Sequence, residues 1–165
     1  MKNKERERLP HLTVAALVRK VNKDTKETKY LMVKEWQDGN LVLNQPAGHV
    51  ENNESVLDAV VREAKEESGW LVKPIGLLGM YAFTPFEGAD TYHRLCVLCE
   101  AMNETHEPLD DDIVSSHWLS YEEIMALPHR SPLIKTCIED SFNNPIIPLS
   151  FVSNQFLRPV PRSRK

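Results

Sequence analysis

GHVENNESVLDAVVREAKEESGW, residues 48–70, predicts a glycine-containing loop followed by a helix that ends at Gly69. Within that helix, Glu66 and Glu67 follow Glu63 by three and four positions, so the three side chains project from one side. Carboxylates this close together repel one another unless a positive charge lies among them. An oxygen-only set of ligands suits a hard divalent cation such as Mg²⁺ or Mn²⁺.

The apolar residues of the predicted helix indicate where the carboxylates point. Val56, Ala59 and Val60 share one stripe with the glutamates, whereas Asp58 and Lys65 belong to the polar side. A charge-rich helix is ordinarily a solvated face, but here the carboxylates extend the stripe that faces the protein interior. Buried carboxylates need a metal ion or basic side chains as partners. The pattern therefore favours a metal site over a plain solvated surface.

The fixed positions of this segment resemble a known family signature. Residues 48–70 fit the Nudix box, G-x5-E-x7-R-E-U-x-E-E-x-G-U, in which U is a bulky apolar residue. Ala64 is a small residue at the first U position, and the other fixed positions match. Those positions are Gly48, Glu54, Arg62, Glu63, Glu66, Glu67, Gly69 and Trp70. The chain is thus similar to Nudix hydrolases, and the resemblance implies hydrolysis of a nucleoside diphosphate linked to another group.

The resemblance also implies a role for each charged position of the box. Glu63, Glu66 and Glu67 would be metal ligands, and Glu63 matches a position often proposed as the general base. Arg62, grouped with Glu63 as catalytic, would hold the carboxylates through charge-assisted hydrogen bonds. The implied cofactor is Mg²⁺, with Mn²⁺ as a substitute.

The residues around the glutamates would shape the site, again by resemblance. The carbonyl of Ala47 would add a neutral metal ligand, and Gly48 would let the backbone turn tightly. Glu54 lies just ahead of the helix and would support the metal ligands without binding the metal. Gly69 would stop the helix.

Length and charge are consistent with one enzyme domain. The chain has 165 residues and a net charge of −4, which gives no electrostatic reason to expect nucleic acid. It contains no apolar run long enough to span a bilayer and no secretory signal at its start. Three cysteines fit a reducing, cytoplasmic compartment. We expect a frayed tail over 1–10, a single domain over 11–152, a basic proline-containing tail over 153–165, and a monomer or homodimer.

Short apolar runs alternate with helical patterns along the rest of the chain, without repeats. In one predicted strand Cys96 and Cys99 point to opposite faces, so a shared zinc ion is not expected. Ser55 and Ser131 are predicted to cap helices. An α/β/α sandwich with a mixed sheet is predicted, because both strand faces are apolar and must be covered; the Nudix resemblance implies the same fold. The predicted strands are 12–18, 30–35, 41–43, 77–83, 94–102 and 114–119, and the predicted helices are 55–68, 121–127 and 132–142.

Substrate preference depends on segments outside the box. Asn44–Glu51, NQPAGHVE, and Arg130–Leu133, RSPL, are similar to a bacterial phosphatase subgroup of the Nudix family, and the likeness runs from about His11 to about Leu149. That subgroup hydrolyses nucleoside tri- and diphosphates and pyrophosphates of the thiamin pathway, including hydroxymethylpyrimidine pyrophosphate. Alternatives are hydrolysis of ADP-ribose or of a dinucleoside polyphosphate, and a domain that binds a nucleotide without turnover.

Several residues outside the helix are candidates for binding the small phosphorylated substrate. His49 and Arg94 have the chemistry to contact phosphate, although each equally fits a surface role. Asp111 and Asp112, with Asp110, form an acidic run that falls where the family often places a loop carboxylate; a solvated turn is the alternative. A flat ring needs an aromatic wall. Candidates for that wall are Trp36, Tyr81, Phe83, Tyr92 and Trp118, each of which also fits a core role.

Overall fold

The computed structural model describes residues 8–158. Most of the predicted N-terminal tail, and residues 159–165 of the predicted C-terminal tail, lie outside that range, and the predicted domain bounds stay predictions. The strands are β1 His11–Val21, β2 Thr28–Gln37, β3 Asn40–Asn44, β4 Ala47–His49, β5 Trp70–Phe83, β6 Tyr92–Glu104 and β7 Ile113–Ser120, and the helices are α1 Val56–Ser68, α2 Tyr121–Met125 and α3 Leu133–Asn143.

The strands form one mixed sheet of seven strands, as predicted. Its order is β3-β2-β1-β6-β5, with β4 paired to β1 and β7 paired to β2. β1 and β6 run parallel from the pair His11–Tyr92 to the pair Arg19–Glu100, and the other pairings are antiparallel. This parallel pair places the first residues of two distant segments at one end of the sheet.

Helices cover both faces of the sheet, which confirms the α/β/α sandwich. Helix α1 packs on one face, and helices α2 and α3 pack on the other. Cys96 and Cys99 belong to opposite faces, as predicted, and all three cysteines are free and buried. Central contacts on the α1 face involve Val14, Ala16, Ala59, Val60, Ala64 and Val97, and those on the other face involve Ala15, Leu17, Ile124, Ile134 and Ile138. Burial of these side chains is the main force that fixes α1 against the sheet.

The ends of α1 follow from its local sequence. The Ser55 side chain accepts a hydrogen bond from the backbone N–H of Asp58 at 3.0 Å, which confirms the predicted cap. Gly69 adopts a left-handed conformation, φ 75°, and its N–H bonds the carbonyl of Lys65 at 2.9 Å. Both ends of the helix are therefore satisfied, and the glutamates are held at fixed positions along it.

The predicted cap of the last helix is wrong. Helix α3 begins at Leu133 with Pro132 at its cap position, and no side chain caps it. Ser131 lies in the wall of a cavity, and its hydroxyl is buried without a partner among residues 8–158. The side chain therefore faces the cavity and does not reach the open N–H groups of the helix.

Most strands are longer than the sequence predicted, and the largest differences concern β5 and β4. β5 starts at Trp70, not Leu77, because register shifts around Pro74 and Gly76 let the strand continue past residues that ordinarily interrupt one. β4 occupies Ala47–His49, where the sequence indicated only a break. Over residues 8–158, no helix combines the length and apolar character needed to cross a membrane.

Candidate active site

A cavity of about 410 Å³ opens between the first residues of β1 and β6 and the middle of α1. Its walls come from the starts of β1 and β6, from β2 and β3, from β4, and from the segment that leads into α3. Among the lining residues are Thr13, Glu35, Gly48, His49, Glu63, Glu67, Phe83, Tyr92, Arg94, Asp112 and Arg130. One wall is thus acidic, and cationic and aromatic side chains share the remainder.

The glycine of β4 allows the closest approach between the helix and the sheet. A Cβ atom at Gly48 would lie 2.2 Å from Oε1 and 2.5 Å from Oε2 of Glu63. Because no side chain tolerates such a contact, Gly48 is required for the Glu63 carboxylate to occupy its position. The role predicted for this glycine from the box was a tight turn, and the structure adds the space that it leaves for a carboxylate.

Arg62 is the hub of the acidic wall. Its Nε and Nη2 donate to the two carboxylate oxygens of Glu54 at 2.7 and 3.0 Å, a bidentate pair. Nη1 donates to Glu63 at 2.8 Å and to Glu66 at 3.0 Å, and Nη2 also donates to the carbonyl of His49 at 3.0 Å. One guanidinium therefore fixes two box glutamates relative to Glu54 and to the end of β4.

The pKa values of this group follow from the same contacts. Hydrogen bonds from Arg62 hold the pKa of Glu54 below its usual range, and the bonds to Glu54 raise the pKa of Arg62. Burial raises the pKa of Glu63, and the hydrogen bond from Arg62 opposes that rise. Glu54 and Arg62 thus form a firmly ionised pair, while the Glu63 carboxylate carries a cost of burial.

Glu67 is the most strongly perturbed carboxyl of the wall. It is 8% exposed, and its Oε2 accepts a hydrogen bond from the N–H of Ala47 at 2.9 Å. Burial raises the pKa of Glu67 to about 8, and the charges of Glu63, Glu35 and Asp112 push in the same direction. A cation beside this carboxylate would relieve both effects.

Three carboxylates come within ligand distance of one another. Oxygen atoms of Glu63, Glu66 and Asp110 lie within 4.8 Å of one another. The N–H of Asp110 donates to the carbonyl of Glu66 at 2.9 Å, which ties the loop before β7 to α1. Burial, and then the charge of Glu66, raise the pKa of Asp110. The donor set is purely anionic oxygen, the ligand type that Mg²⁺ and Mn²⁺ prefer.

The acidic run before β7 splits between different surroundings. Asp110 joins Glu63 and Glu66, and Asp112 lines the main cavity, whereas Asp111 is exposed and lines no wall of it. A register shift between β2 and β7 at Glu35 lies next to this segment. The shift places the buried Glu35 and the loop residue Asp112 on the same cavity.

Arg94 supplies a cation that has no carboxylate partner within the described range 8–158. Its Nε and Nη1 are buried and make no hydrogen bond to any residue from 8 to 158, and burial lowers its pKa. Arg130, by contrast, bonds Glu35 at 3.1 Å, and Glu35 also accepts from Asn44 at 2.9 Å. A buried, unpaired guanidinium is costly, and an anion bound in the cavity would compensate it.

This geometry agrees with comparisons to known proteins. The NUDIX domain model matches residues 10–137. The chain belongs to the Nudix hydrolase family. It is 32% identical over 151 residues to Phosphatase NudJ of Escherichia coli strain K12, an alignment that covers 88% of this chain and 92% of that protein.

Solved Nudix structures share the fold. A NUDIX hydrolase from Nitrosomonas europaea superimposes with a TM-score of 0.79 at 37% identity, covering 88% of this chain and 97% of that one. The NUDIX domain of Shewanella oneidensis NrtR, solved with ADP ribose, gives a TM-score of 0.70 at 14% identity, covering 86% of this chain and 92% of that one. The second likeness concerns the fold alone.

The aromatic candidates for this Nudix site divide clearly. Phe83 and Tyr92 line the cavity. Trp36 is 61% exposed outside it, Tyr81 donates its hydroxyl proton to Asp140 at 2.7 Å, and Trp118 packs against Trp70. Two of the five candidates therefore remain as a wall for a flat ring.

Several residues of the Nudix site were not identified from sequence. Glu35, Asn44 and Arg130 meet at one wall although they belong to β2, β3 and the segment before α3. No periodicity or short spacing links them. The available signals were the two segments that resemble the phosphatase subgroup, which begin at Asn44 and Arg130 but do not indicate that these side chains meet.

Proposed function

We propose that this protein hydrolyses phosphoanhydride bonds of small phosphorylated metabolites with Mg²⁺, or Mn²⁺ in its place. The observation that carries the proposal is one cavity bounded by an acidic wall on α1 and by the unpaired guanidinium of Arg94. A pyrophosphate group with its cation carries both signs of charge, so it complements both sides of this cavity. A plain anion would be repelled by the acidic wall.

The metal would be held by the acidic wall. Glu63, Glu66 and Glu67 are its proposed ligands, with the carbonyl of Ala47, and the contacts of Asp110 add this residue to the set. The bound ion would neutralise phosphate oxygens and lower the pKa of a water molecule. The fit rests on the close approach of anionic oxygens, which the basic side chains of the wall do not fully neutralise.

The other box residues would prepare this wall for reaction. Arg62 orients Glu63 and Glu66 and draws its own rigidity from the bidentate pair with Glu54. Glu63 is our candidate for the general base, because it lies over Gly48 at the junction of the acidic wall and the cavity.

The opposite wall would hold the phosphate chain. Arg94 has donors without partners and would bind a phosphate oxygen, with Arg130 as a second cation at the same cavity. Asp112 faces this region and would limit how many negative charges bind without a metal ion. Asp111 does not line the cavity, so it would contact the substrate only if its loop moved.

The proposed substrates are nucleoside tri- and diphosphates, hydroxymethylpyrimidine pyrophosphate and thiamin pyrophosphate. Similarity to Phosphatase NudJ supports this group, as do the aromatic residues Phe83 and Tyr92 in a cavity of about 410 Å³. A cytoplasmic location is part of the proposal and is supported by three free thiols. A homodimer or monomer that binds no nucleic acid and no membrane completes it.

A phosphate-release screen tests the proposal. The full chain is incubated with Mg²⁺ and each proposed substrate, with ADP-ribose and diadenosine tetraphosphate as comparators, and Glu63→Gln serves as the inactive control. We expect release of inorganic phosphate from several proposed substrates, lost with EDTA and restored by Mg²⁺. Arg94→Met is expected to raise KM by about 10-fold or more, because a charged hydrogen bond is lost.

Two results would redirect the assignment. Activity confined to ADP-ribose or to the dinucleoside polyphosphate would contradict the proposed substrates while leaving the metal site in place. Nucleotide binding by calorimetry without turnover of any compound would indicate a sensor domain.

A further inference from the structure

Three polar side chains form a hydrogen-bonded chain beside the aromatic residues of the cavity, and one of them, His49, lies within the box. Nδ1 of His11 lies 2.9 Å from Nε2 of His49, and Nε2 of His11 lies 3.1 Å from Oδ2 of Asp90. His11 begins β1, His49 ends β4, and Asp90 precedes β6. No spacing or motif relates the three residues, and they meet because the sheet brings them together.

The strand register explains this meeting. β4 pairs with β1 so that His49 is opposite Thr13, and β6 pairs with β1 so that Tyr92 is opposite His11. His11 is two residues from Thr13 and therefore on the same face of the strand, diagonal to His49. The sheet thus fixes the backbone of both histidines before their side chains bond.

When both histidines are neutral, the carboxylate sets the direction of every hydrogen bond in the chain. An ionised Asp90 only accepts, so Nε2 of His11 must donate to it. Nδ1 of a neutral His11 then carries a lone pair, so Nε2 of His49 must donate in turn. This leaves Nδ1 of a neutral His49 as an acceptor, and within residues 8–158 it has no partner.

Ring packing holds the chain in place. His11 stacks on Tyr92 with ring centroids 4.6 Å apart and planes 11° apart. His49 meets His11 edge-on at 5.0 Å and tilts toward Tyr92 at 6.2 Å. His49 and Tyr92 line the cavity together with Phe83. The free nitrogen therefore belongs to a residue that shares a wall of the cavity with aromatic side chains, which suits a flat organic group.

We infer that Asp90 and His11 are positioning residues that present His49 as a hydrogen-bond acceptor to the organic group of the substrate. The inference rests on the proposed function and adds its selectivity: favoured substrates carry an N–H or O–H donor near the ring. A phosphate oxygen is itself an acceptor, so neutral His49 does not bind it. This replaces the phosphate contact that the sequence suggested for His49.

Nuclear magnetic resonance tests the direction of the chain without any turnover. In the full chain at pH 8 without metal, ¹⁵N shifts of the imidazoles are expected to show protonation at Nε2 for both His11 and His49. In His11→Phe, which keeps a ring against Tyr92, His49 is expected to become a mixture of tautomers. A wild-type His49 protonated at Nδ1 would overturn the inference.

Binding measurements test the selectivity. The ligands, each with Mg²⁺, are cytidine diphosphate, its 2′,3′-dideoxy and N4,N4-dimethyl counterparts, and methyl diphosphate. His11→Phe is expected to raise Kd for cytidine diphosphate by about 10-fold and to leave methyl diphosphate within about 2-fold. His93→Phe, at an exposed position of β6 that does not line the cavity, serves as the control and should change neither.

The counterparts identify the donor. If the rise in Kd caused by His11→Phe persists with the dideoxy compound and vanishes with the dimethyl compound, the donor is the amine. The reverse pattern identifies a ribose hydroxyl as the donor. The selectivity would be overturned if His11→Phe raised Kd equally for methyl diphosphate, or if it raised Kd for no ligand. It would also be overturned if the wild type bound none of the ligands. If both histidines are protonated at Nε2 and binding is selective, but no phosphate is released, only the proposed function is contradicted.

Discussion

The acidic wall and the cationic wall of the cavity treat charge in opposite ways. On the acidic wall, Arg62 makes hydrogen bonds to Glu54, Glu63 and Glu66, so most of its donors are occupied. On the other wall, Arg94 keeps buried donors that bond no residue from 8 to 158. One arginine organises the glutamates around it, whereas the other is the residue that we propose binds the phosphate of the substrate.

This difference assigns the two walls different tasks. The carboxylates are held in a rigid frame, and burial raises the pKa values of Glu63 and Glu67, with the charges of neighbouring carboxylates adding to the rise. Such a frame is prepared for a cation and costs little reorganisation when the cation arrives. Substitutions on the acidic wall should therefore affect turnover and stability separately, according to whether they remove a ligand or the frame.

Removal of a proposed metal ligand should have the largest effect. Glu67→Gln keeps an oxygen that accepts from the N–H of Ala47, but it loses the charge. We expect the Mg²⁺-dependent rate of phosphate release to fall by at least about 1,000-fold, since the loss affects several kcal/mol of transition-state stabilisation. Asp58→Asn, on the exposed side of the same helix, is the matched control. Undiminished turnover in Glu67→Gln would refute the metal role.

Removal of the frame should appear mainly as lost stability. Arg62→Ala removes the cationic donor of Glu54 and Glu63, and we expect the free energy of unfolding in urea to fall by about 3 kcal/mol. Lys65→Ala, in the same helix, breaks only an exposed pair with Glu107 and should cost less than about 1 kcal/mol. Similar losses in both variants would show that Arg62 is an ordinary surface residue.

The space above the glycine of β4 should matter for activity more than for folding. A methyl group at Gly48 would displace the Glu63 carboxylate, so Gly48→Ala should lower kcat by about 10- to 100-fold. Gly79→Ala in β5 meets only ordinary contacts at 3.5 Å and is the control for adding a methyl group to a strand. Full activity in Gly48→Ala, measured under saturating Mg²⁺, would show that Glu63 need not occupy this position.

The smallest effect concerns the metal-free protein. Because the pKa of Glu67 is raised to about 8 by burial, ionising it costs the folded state stability as pH rises from about 4.5 towards 8. Glu67→Gln lacks this cost, so with EDTA at pH 8.5 its free energy of unfolding should exceed that of the wild type by about 1–2 kcal/mol. Near pH 4.5 the two should converge. A difference that does not change with pH would contradict the burial of a charged carboxylate.

The acidic wall could be predicted because it is encoded locally. Glu63, Glu66 and Glu67 lie within two turns of one helix, and Ser55 and Gly69 mark its ends, so helix geometry alone relates the side chains. The strands that are apolar on both faces likewise predicted the layered fold, because a buried strand must be covered on each face.

Arg94 was named from the sequence as a candidate phosphate contact, but the rest of the cationic wall could not be predicted because it is assembled by the sheet. Glu35 and Arg130 form an ion pair although they are far apart in the sequence. Similarly, the carboxylate that lies close to Glu63 and Glu66 is that of Asp110 and not that of Glu67. Ser131 was assigned to a helix cap because its residue type suits one, yet its side chain faces the cavity. Sequence spacing carries no information about such long-range contacts.

The parallel pairing of β1 with β6 has a consequence for how the site forms. α1 is a local structure, whereas the β1–β6 pair requires distant parts of the chain to close upon each other, which is the slower process in folding. We expect α1, which carries the proposed metal ligands, to gain helical structure before the part of the cavity that would hold the organic group has formed. Metal capture and selectivity for the substrate would then arise at different stages in the life of each newly made molecule.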